Sequence, residues 1–283
     1  MNTISIILTV HNKEALLEKV CQGLLENASA AVVEWIFVLD GCTDQSEAIL
    51  ERVLEQKASS QMNVRKIITK NIWEVRANNV GLKQAVGNYC LLVQDDMVVT
   101  EKNFDLRLLR PLSVFEDCFA VTARTAHNNF VNRRGLFKKA LEFRNKIGRE
   151  NSPDRDTFGV RDVVNRGPLL LDHAKLAALN YLDEAFAPLD LDDHDLCLRG
   201  YRHHGWVCGS YITAYDSEPD WGTTRANPQS RKILSQAHKK NEQLLIQRHE
   251  SHLRQPKHDE NRSLPEQPTS TGLTACVSPA PLC

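Results

Sequence analysis

The sequence predicts an α/β fold, a doubly wound and mostly parallel sheet flanked by helices. Three observations carry that expectation. Thr3–Val10 is a continuous apolar run rich in isoleucine, as a strand covered on both faces requires. Strand-like and helix-like segments then alternate with short loops through the first hundred residues. The composition, 42% hydrophobic and 25% charged over 283 residues, is that of a globular chain with a sizeable core, which excludes collagen-like, coiled-coil and wholly disordered classes.

The elements follow in order. Lys13–Asn27 carries Leu16, Leu17, Val20, Leu24 and Leu25 at helical spacing. Val32–Leu39 reads as the second buried strand and Gln45–Leu54 as a helix with Ala48, Ile49 and Leu54 on one face. Val64–Thr69 is a third strand, Val75–Val86 a third helix and Tyr89–Gln94 a fourth strand ending in Asp95-Asp96. Residues 104–225 are less regular and rich in turn signals (NSPDRD, NRGP, SEPDWG). Ser230–Arg248 reads as a helix, and from 256 to 283 the shift to Pro, Ser, Thr and Gln predicts a disordered tail.

A formal net charge of −1 excludes a nucleic-acid polycation, so an electrostatic partner must meet a local patch. Apolar runs such as Ile4–Val10 are too short to span a bilayer, and the N-terminal segment shows no basic region or cleavage site, so a cytoplasmic protein is expected. The eight cysteines (21, 42, 90, 118, 197, 208, 276 and 283) contain no CxxC pair. Cys21, Cys90, Cys118 and Cys197, set among apolar residues, read as small buried hydrophobes.

In a doubly wound sheet, ligands sit beyond the carboxyl ends of the strands. Thr9, His11, Asn12, Asp40, Asp95 and Asp96 all fall there. Asp40, followed by Gly41, either accepts hydrogen bonds from a ligand or forms the turn, while Thr43-Asp44 caps the next helix. The adjacent carboxylates Asp95 and Asp96 repel each other unless a cation bridges them, and Mg2+ or Mn2+ with phosphate oxygens fits. Met97 stands where a third acid could complete such a set; its thioether is too soft to do so. Asp190, Asp192, Asp193 and Asp195 are four acids within six positions. One of them could serve as a general base, and Asp192 or Asp193 could instead cap the helix DLCLRGYRHHG, with Asp195 paired to Arg199. Phe130–Arg149 carries seven basic residues against Glu142, beside an apolar helical stripe of Leu136, Phe137, Ala140, Leu141 and Ile147. It reads as a solvated helix face, or as a surface for an anionic acceptor or for peripheral membrane contact. His203-His204, near Cys197 and Cys208, lack ligand spacing for zinc.

Taken together, these segments resemble the family 2 inverting nucleotide-sugar glycosyltransferases of the GT-A fold. TISIILTVHNKEALLEKVCQGLLEN resembles the family's first strand and helix, and VLDGCTDQSEAIL its DGSTD segment with Cys42 in place of Ser. NNVGLKQAVGNYCLLVQDDM resembles the segment ending in a DxD-type motif, and RGPLLLDHAKLAALNYLDEAFAPLDLDDHDLCLRGYRHHGW the acceptor-side block with its ED-type motif. The resemblance covers about residues 3–210. It implies a Rossmann-like, mostly parallel sheet with a nucleotide-sugar-binding half over 1–100, an irregular acceptor-side half over 101–229, a C-terminal helix over 230–255 and the tail. It implies that Thr9, His11, Asn12 and Asp40 contact the nucleoside, with Arg76 and Asn79 helping. Asp95 would approach ribose or metal, Asp96 would hold a divalent ion, and Asp193, beside Asp192, would deprotonate the acceptor. The implied donor is a nucleotide-diphosphate sugar; the acceptor is a glycan, a lipid or another hydroxyl compound, at the inner face of a membrane or free of it. His203, His204 and Asp216 are candidates for a further metal ligand. The rival readings are a GT-A-like binding protein and a nucleotidyltransferase; the latter usually carries a Gly-rich loop where this chain has VHNKEA. Neither donor sugar nor oligomeric state is specified by these residues.

Overall fold

The computed structural model describes residues 2–57, 62–134, 138–148, 151, 154–218, 220–222, 228–254 and 258–265. The chain opens β1 (Ile4–Val10), α1 (Leu17–Asn27), β2 (Val32–Asp40), α2 (Ser46–Lys57), β3 (Val64–Thr69), α3 (Glu74–Leu82) and β4 (Tyr89–Gln94). It continues β5 (Val98–Val99), α4 (Phe104–Val114), β6 (Cys118–Thr122), β7 (Thr125–Arg134), β8 (Lys138–Gly148), β9 (Thr157–Arg161), β10 (Val163–Val164) and β11 (Leu169–Asp172). The remainder is α5 (His173–Ala178), a 3-10 turn (Glu184–Phe186), α6 (Asp192–His204), β12 (Val207–Ser210), β13 (Tyr215–Asp216), α7 (Pro228–Leu253) and β14 (Asp259–Ser263).

Among the described residues the main sheet has nine strands in the order β14-β9-β12-β6-β11-β4-β1-β2-β3. β3, β2, β1 and β4 are parallel neighbours, whereas β11 and β9 run against the others. Alternate residues of one strand feed opposite faces. Ile4, Ile6, Leu8 and Val10 pack with Leu17, Val20 and Leu24 of α1, while Ile7 packs with Val75 and Leu82 of α3. That double burial is why the strand sequences show no polar alternation. Because β1 lies between β2 and β4, the loops after these strands part to opposite sides and open a crevice at their carboxyl ends.

Several helices have shorter or longer limits than the sequence suggests. The helix expected from Lys13 starts at Leu17, because residues 13–16 form a turn in which the Lys13 carbonyl accepts the N–H groups of Leu16 and Leu17. The helix expected to reach Val86 ends at Leu82, since the Val86 and Gly87 N–H groups donate to the Glu34 carboxylate and the Ser5 hydroxyl. Asp44 accepts the Ser46 N–H at 3.0 Å, as its capping role requires. Neither Asp192 nor Asp193 caps α6. Leu191, at φ 63°, holds that position and the two acids begin the helix.

Of the amphipathic helix expected over 130–149, residues 130–134 and 138–148 instead belong to the antiparallel strands β7 and β8, while Leu136, Phe137 and Arg149 lie outside the described residues. Leu141, Phe143 and Ile147 alternate with Glu142, Arg144 and Lys146, a period of two, and Val131 pairs with Leu141 across the two strands. α7 covers one side: Glu242 accepts the Leu141 N–H at 2.7 Å and Glu250 meets Lys139 at 2.5 Å. The disorder expected from 256 does not extend to Asp259–Ser263, which adds β14 to the edge strand β9, with Arg262 paired in bidentate fashion to Asp117. The rest of that tail lies outside the described residues, as do Cys276 and Cys283. Cys21, Cys90, Cys118 and Cys197 are buried free thiols. No helix among the described residues is long and apolar enough to cross a membrane.

Candidate active site

The crevice contains two adjoining cavities. The inner one is lined by Thr9, His11, Lys13, Asp40, Trp73 and Asp95, and the outer one by Arg124, His127, Lys146, Asp193 and His194. Glu74, Gln94, Asp96, Arg166, Leu189 and Gly222 line both. The structure therefore brings Asp40, the Asp95–Asp96 doublet and Asp193 to one continuous opening, although they lie up to 153 positions apart in the chain.

Asp40 ends β2 almost fully buried and organises the loop after β3. Its oxygens accept from the Thr69 hydroxyl at 2.7 Å, the Ile72 N–H at 2.7 Å and the Trp73 N–H at 2.8 Å. This carboxylate shapes the cavity wall and presents Trp73 at φ 73°. Gly41 is needed beside it: at φ +61°, a Cβ would sit 2.5 Å from the Asn71 Cβ. His11 Nδ1 lies 2.5 Å from the Asp40 carbonyl oxygen. Thr9 donates to the Asn78 side-chain carbonyl at 2.8 Å. Asn12 does not line either cavity; at φ 48° it accepts the Thr43 N–H at 2.7 Å and ties the first loop to the second.

Asp95 and Asp96 differ in environment. Asp95 accepts the His11 N–H at 3.0 Å and pairs with the buried Lys13 ammonium at 3.2 Å. Burial raises its pKa to about 6 despite Lys13 and the His11 N–H, with Asp96 adding to the rise. Asp96 is half-buried and forms no hydrogen bond or ion pair among the described residues, and it projects into both cavities. Met97 turns the other way, into the core. No group of three or more His, Cys, Asp or Glu side chains among the described residues is placed to hold a metal ion. The unpartnered Asp96 nevertheless fits a hard divalent ion whose remaining ligands are phosphate oxygens and water, since such ions commonly use one or two protein carboxylates. His203 and His204 sit at the far end of α6, where His204 stacks on Trp206, and Asp216 is exposed on β13; none lines the crevice.

Asp193 stands at the start of α6 with its two oxygens accepting the N–H groups of Arg166 and His194, both at 2.9 Å. Burial opposes its ionisation, but the His194 ring, the Arg166 guanidinium and those N–H groups outweigh it and hold the carboxyl below its ordinary range. Asp192, fully buried, receives the Arg166 guanidinium in bidentate geometry at 2.6 and 2.9 Å. It is thus a partner of Arg166 rather than a free acid. Asp195 pairs with Arg199 at 2.7 Å, as its spacing predicts, and also with His249 at 2.9 Å.

Arg76 and Asn79 are not brought to the crevice. Arg76 is exposed and faces Glu184 at 3.5 Å. The Asn79 side chain exchanges hydrogen bonds with the main chain of Leu182, at 2.9 and 3.1 Å, and so joins α3 to the loop before the 3-10 turn. Both were expected only from resemblance, and the resemblance does not fix where the α3 side chains point. Conversely, Lys13, Trp73, Glu74 and Arg166 line the site unheralded. Lys13 had a signal, a lone cation one turn beyond a buried strand. Arg166 had none, since its link to Asp192 and Asp193 is made only by folding.

Residues 5–169 match the sequence profile of the glycosyl transferase family 2. No curated protein matches the chain. Among solved structures, the fold is similar to that of S. aureus TarS 1–349 in complex with UDP (17% identity, TM-score 0.50, covering 75% of this chain and 59% of that one). It is also similar to that of glucosyl-3-phosphoglycerate synthase from Mycobacterium tuberculosis in complex with Mn2+, UDP and phosphoglyceric acid (16% identity, TM-score 0.52, covering 85% and 78%). The chain therefore spans less than two thirds of the length of that TarS structure.

Proposed function

The chain belongs to glycosyl transferase family 2 and has the GT-A fold, and from that premise we propose that it moves a sugar from a nucleotide-diphosphate sugar to an acceptor hydroxyl with inversion at the anomeric carbon. The observation that supports this reading most is the continuity of the two cavities through Asp96, with Asp40 and Asp95 on one side and Asp193 on the other. Residues 1–100 would supply the donor wall and residues 101–229 most of the acceptor wall.

The donor nucleotide lies in the inner cavity against Trp73 and the loop that Asp40 organises, with Thr9 and His11 on its floor. Asp96, with Asp95 beside it, holds the divalent ion, Mg2+ or Mn2+ as in the structures of the mycobacterial synthase. When bound, that ion neutralises charge developing on the diphosphate. Lys13 and Arg166 add fixed positive charge along the same wall. On the opposite side, Asp193 is ionised and fixed by two N–H groups. It takes the proton from the acceptor hydroxyl as that oxygen forms its bond to the anomeric carbon. The bond from that carbon to the phosphate oxygen breaks, and the nucleoside diphosphate leaves with the electron pair. One displacement inverts the carbon, so no protein nucleophile is required.

Incubation with a panel of nucleotide sugars and Mn2+ tests the proposal. Slow release of free nucleoside diphosphate from one of them is the expected result. Tight nucleotide binding with no release under any acceptor condition favours a binding protein of the same fold. Release of pyrophosphate from a nucleoside triphosphate and a sugar phosphate favours a nucleotidyltransferase.

A further inference from the structure

Four carboxylates (Glu74, Asp96, Asp190 and Asp193) and three permanent cations (Arg124, Lys146 and Arg166) line the outer cavity, and two of those cations have no carboxylate partner among the described residues. Of its acids, Glu74 faces Arg166 at 3.5 Å, Asp190 pairs with His238 at 2.6 Å and Asp193 is held by main-chain N–H groups. Asp96 lies where the two cavities meet. Arg124 and Lys146 line the same cavity, and neither forms an ion pair among the described residues. One guanidinium nitrogen of Arg124 donates to neutral oxygens only, the Gln94 side-chain carbonyl at 3.3 Å and the Arg166 carbonyl at 3.1 Å. Lys146 extends from the exposed edge of β8.

His127, only 3% exposed, lines the same cavity. Its ring packs edge-on against Phe143 at 4.8 Å and His194 at 4.9 Å, with the Asn129 side chain beside it as a hydrogen-bond partner. Burial lowers its pKa to about 3, helped by His194 and Lys146 and opposed by Asp193 and the Asn129 hydrogen bond, so at neutral pH it is an uncharged ring with one N–H to donate. The cavity, about 480 Å3, has room for much more than a water.

We infer that the outer cavity takes an acceptor bearing an oxyanion, a phosphate or carboxylate group seated against Arg124 and Lys146 with His127 donating to it, while its hydroxyl lies at Asp193. The placement of the hydroxyl rests on the function proposed above; the anion site does not. An arginine and a lysine without carboxylate partners, next to a buried donor, suit an oxyanion better than a neutral glycan, whose hydroxyls would leave both cations unanswered.

The test is calorimetric titration of inorganic phosphate, and separately of acetate, into the full chain saturated with UDP and Mg2+ so that the donor cavity is filled. One saturable anion site is expected, weakened about tenfold by Lys146→Gln and by Arg124→Gln, with UDP affinity unchanged within about twofold. The anion that binds more tightly names the group. Lys146 is exposed, so its substitution leaves the fold intact and keeps the test readable if Arg124→Gln does not fold. Sedimentation with phosphatidylcholine vesicles containing phosphatidic acid separates two sources of a phosphate: binding lost in both variants assigns a lipid headgroup, and no binding assigns a soluble acid. The absence of a saturable anion site, or a site indifferent to both substitutions, overturns the inference. Failure of UDP to bind would instead count against the proposed function, and the same anion titration of the ligand-free chain would still decide the anion site.

Discussion

The main-chain N–H of Arg166 donates to the Asp193 carboxylate at 2.9 Å, while the guanidinium of the same residue grips Asp192. One residue thereby fixes both acids of the pair, so that Asp193 points into the cavity and Asp192 into the wall. The positive charge of Arg166 is itself stabilised: burial works against it, but Asp192, Glu74 and Asp193 raise its pKa well above the ordinary range.

Arg166→Met leaves Asp192 buried without a partner. Loss of one member of a buried pair costs about 3–5 kcal/mol, and urea unfolding at neutral pH should show a destabilisation of that order. A loss below about 1 kcal/mol would mean that water already reaches Asp192.

Gly41→Ala places a Cβ against the Asn71 backbone at a positive φ. Strain of this kind costs about 1–3 kcal/mol, and because the loop forms the inner cavity, nucleotide binding should weaken with it. A variant as stable as the parent, with unchanged UDP affinity, would show that the loop relaxes freely.

Asp96→Ala removes the carboxylate shared by the two cavities. UDP affinity in the presence of Mn2+ should fall about tenfold or more, and affinity without metal should be unchanged. Equal affinity with and without Mn2+ in the unaltered protein would rule out Asp96 as the holder of the ion.

Asp195 ties α6 to α7 through His249 and to its own helix through Arg199. Burial alone would raise its pKa, but the His249 hydrogen bond and Arg199 bring it below the ordinary 3.8. A depressed folded-state pKa stabilises the fold above the unfolded value, and that stability is lost as pH falls through the folded one. The gap in unfolding free energy between the parent and Asp195→Asn, about 3 kcal/mol at pH 7, should therefore stay flat down to about 3.8 and shrink only below it. A gap that already narrows between about pH 7 and 5 would contradict a carboxyl held below its ordinary range.

The first hundred residues were legible because burial on both faces leaves an unmistakable mark. Ile4–Val10 and Val32–Leu39 are apolar at nearly every position, and the spacing of Leu17, Val20 and Leu24 suits only a helix. From there the rule for strand ends located Thr9, Asp40, Asp95 and Asp96 without any contact being known. The pairing of 125–134 with 138–148 is hidden in the sequence because Leu136, Phe137, Ala140 and Leu141 have the spacing of a helical stripe, whereas the period of two in Leu141, Phe143 and Ile147 is interrupted by Asn145 at φ 52°. β14 was missed because its residues, DENRS, are polar; it is held by main-chain pairing to β9 and by Arg262, and neither shows in hydropathy. Of the partners that set the chemistry of Asp193, His194 is its neighbour in sequence, whereas Arg166 is distant and carries no local signal.

The most direct test of the central claim is a paired measurement on Asp193→Asn: sugar transfer from the active donor, and calorimetric UDP affinity. The convergence of Asp193 with the nucleotide cavity predicts that transfer falls about a hundredfold or more while UDP affinity stays within about twofold of the parent. Transfer at the parental rate, or transfer and UDP binding lost together, would contradict it.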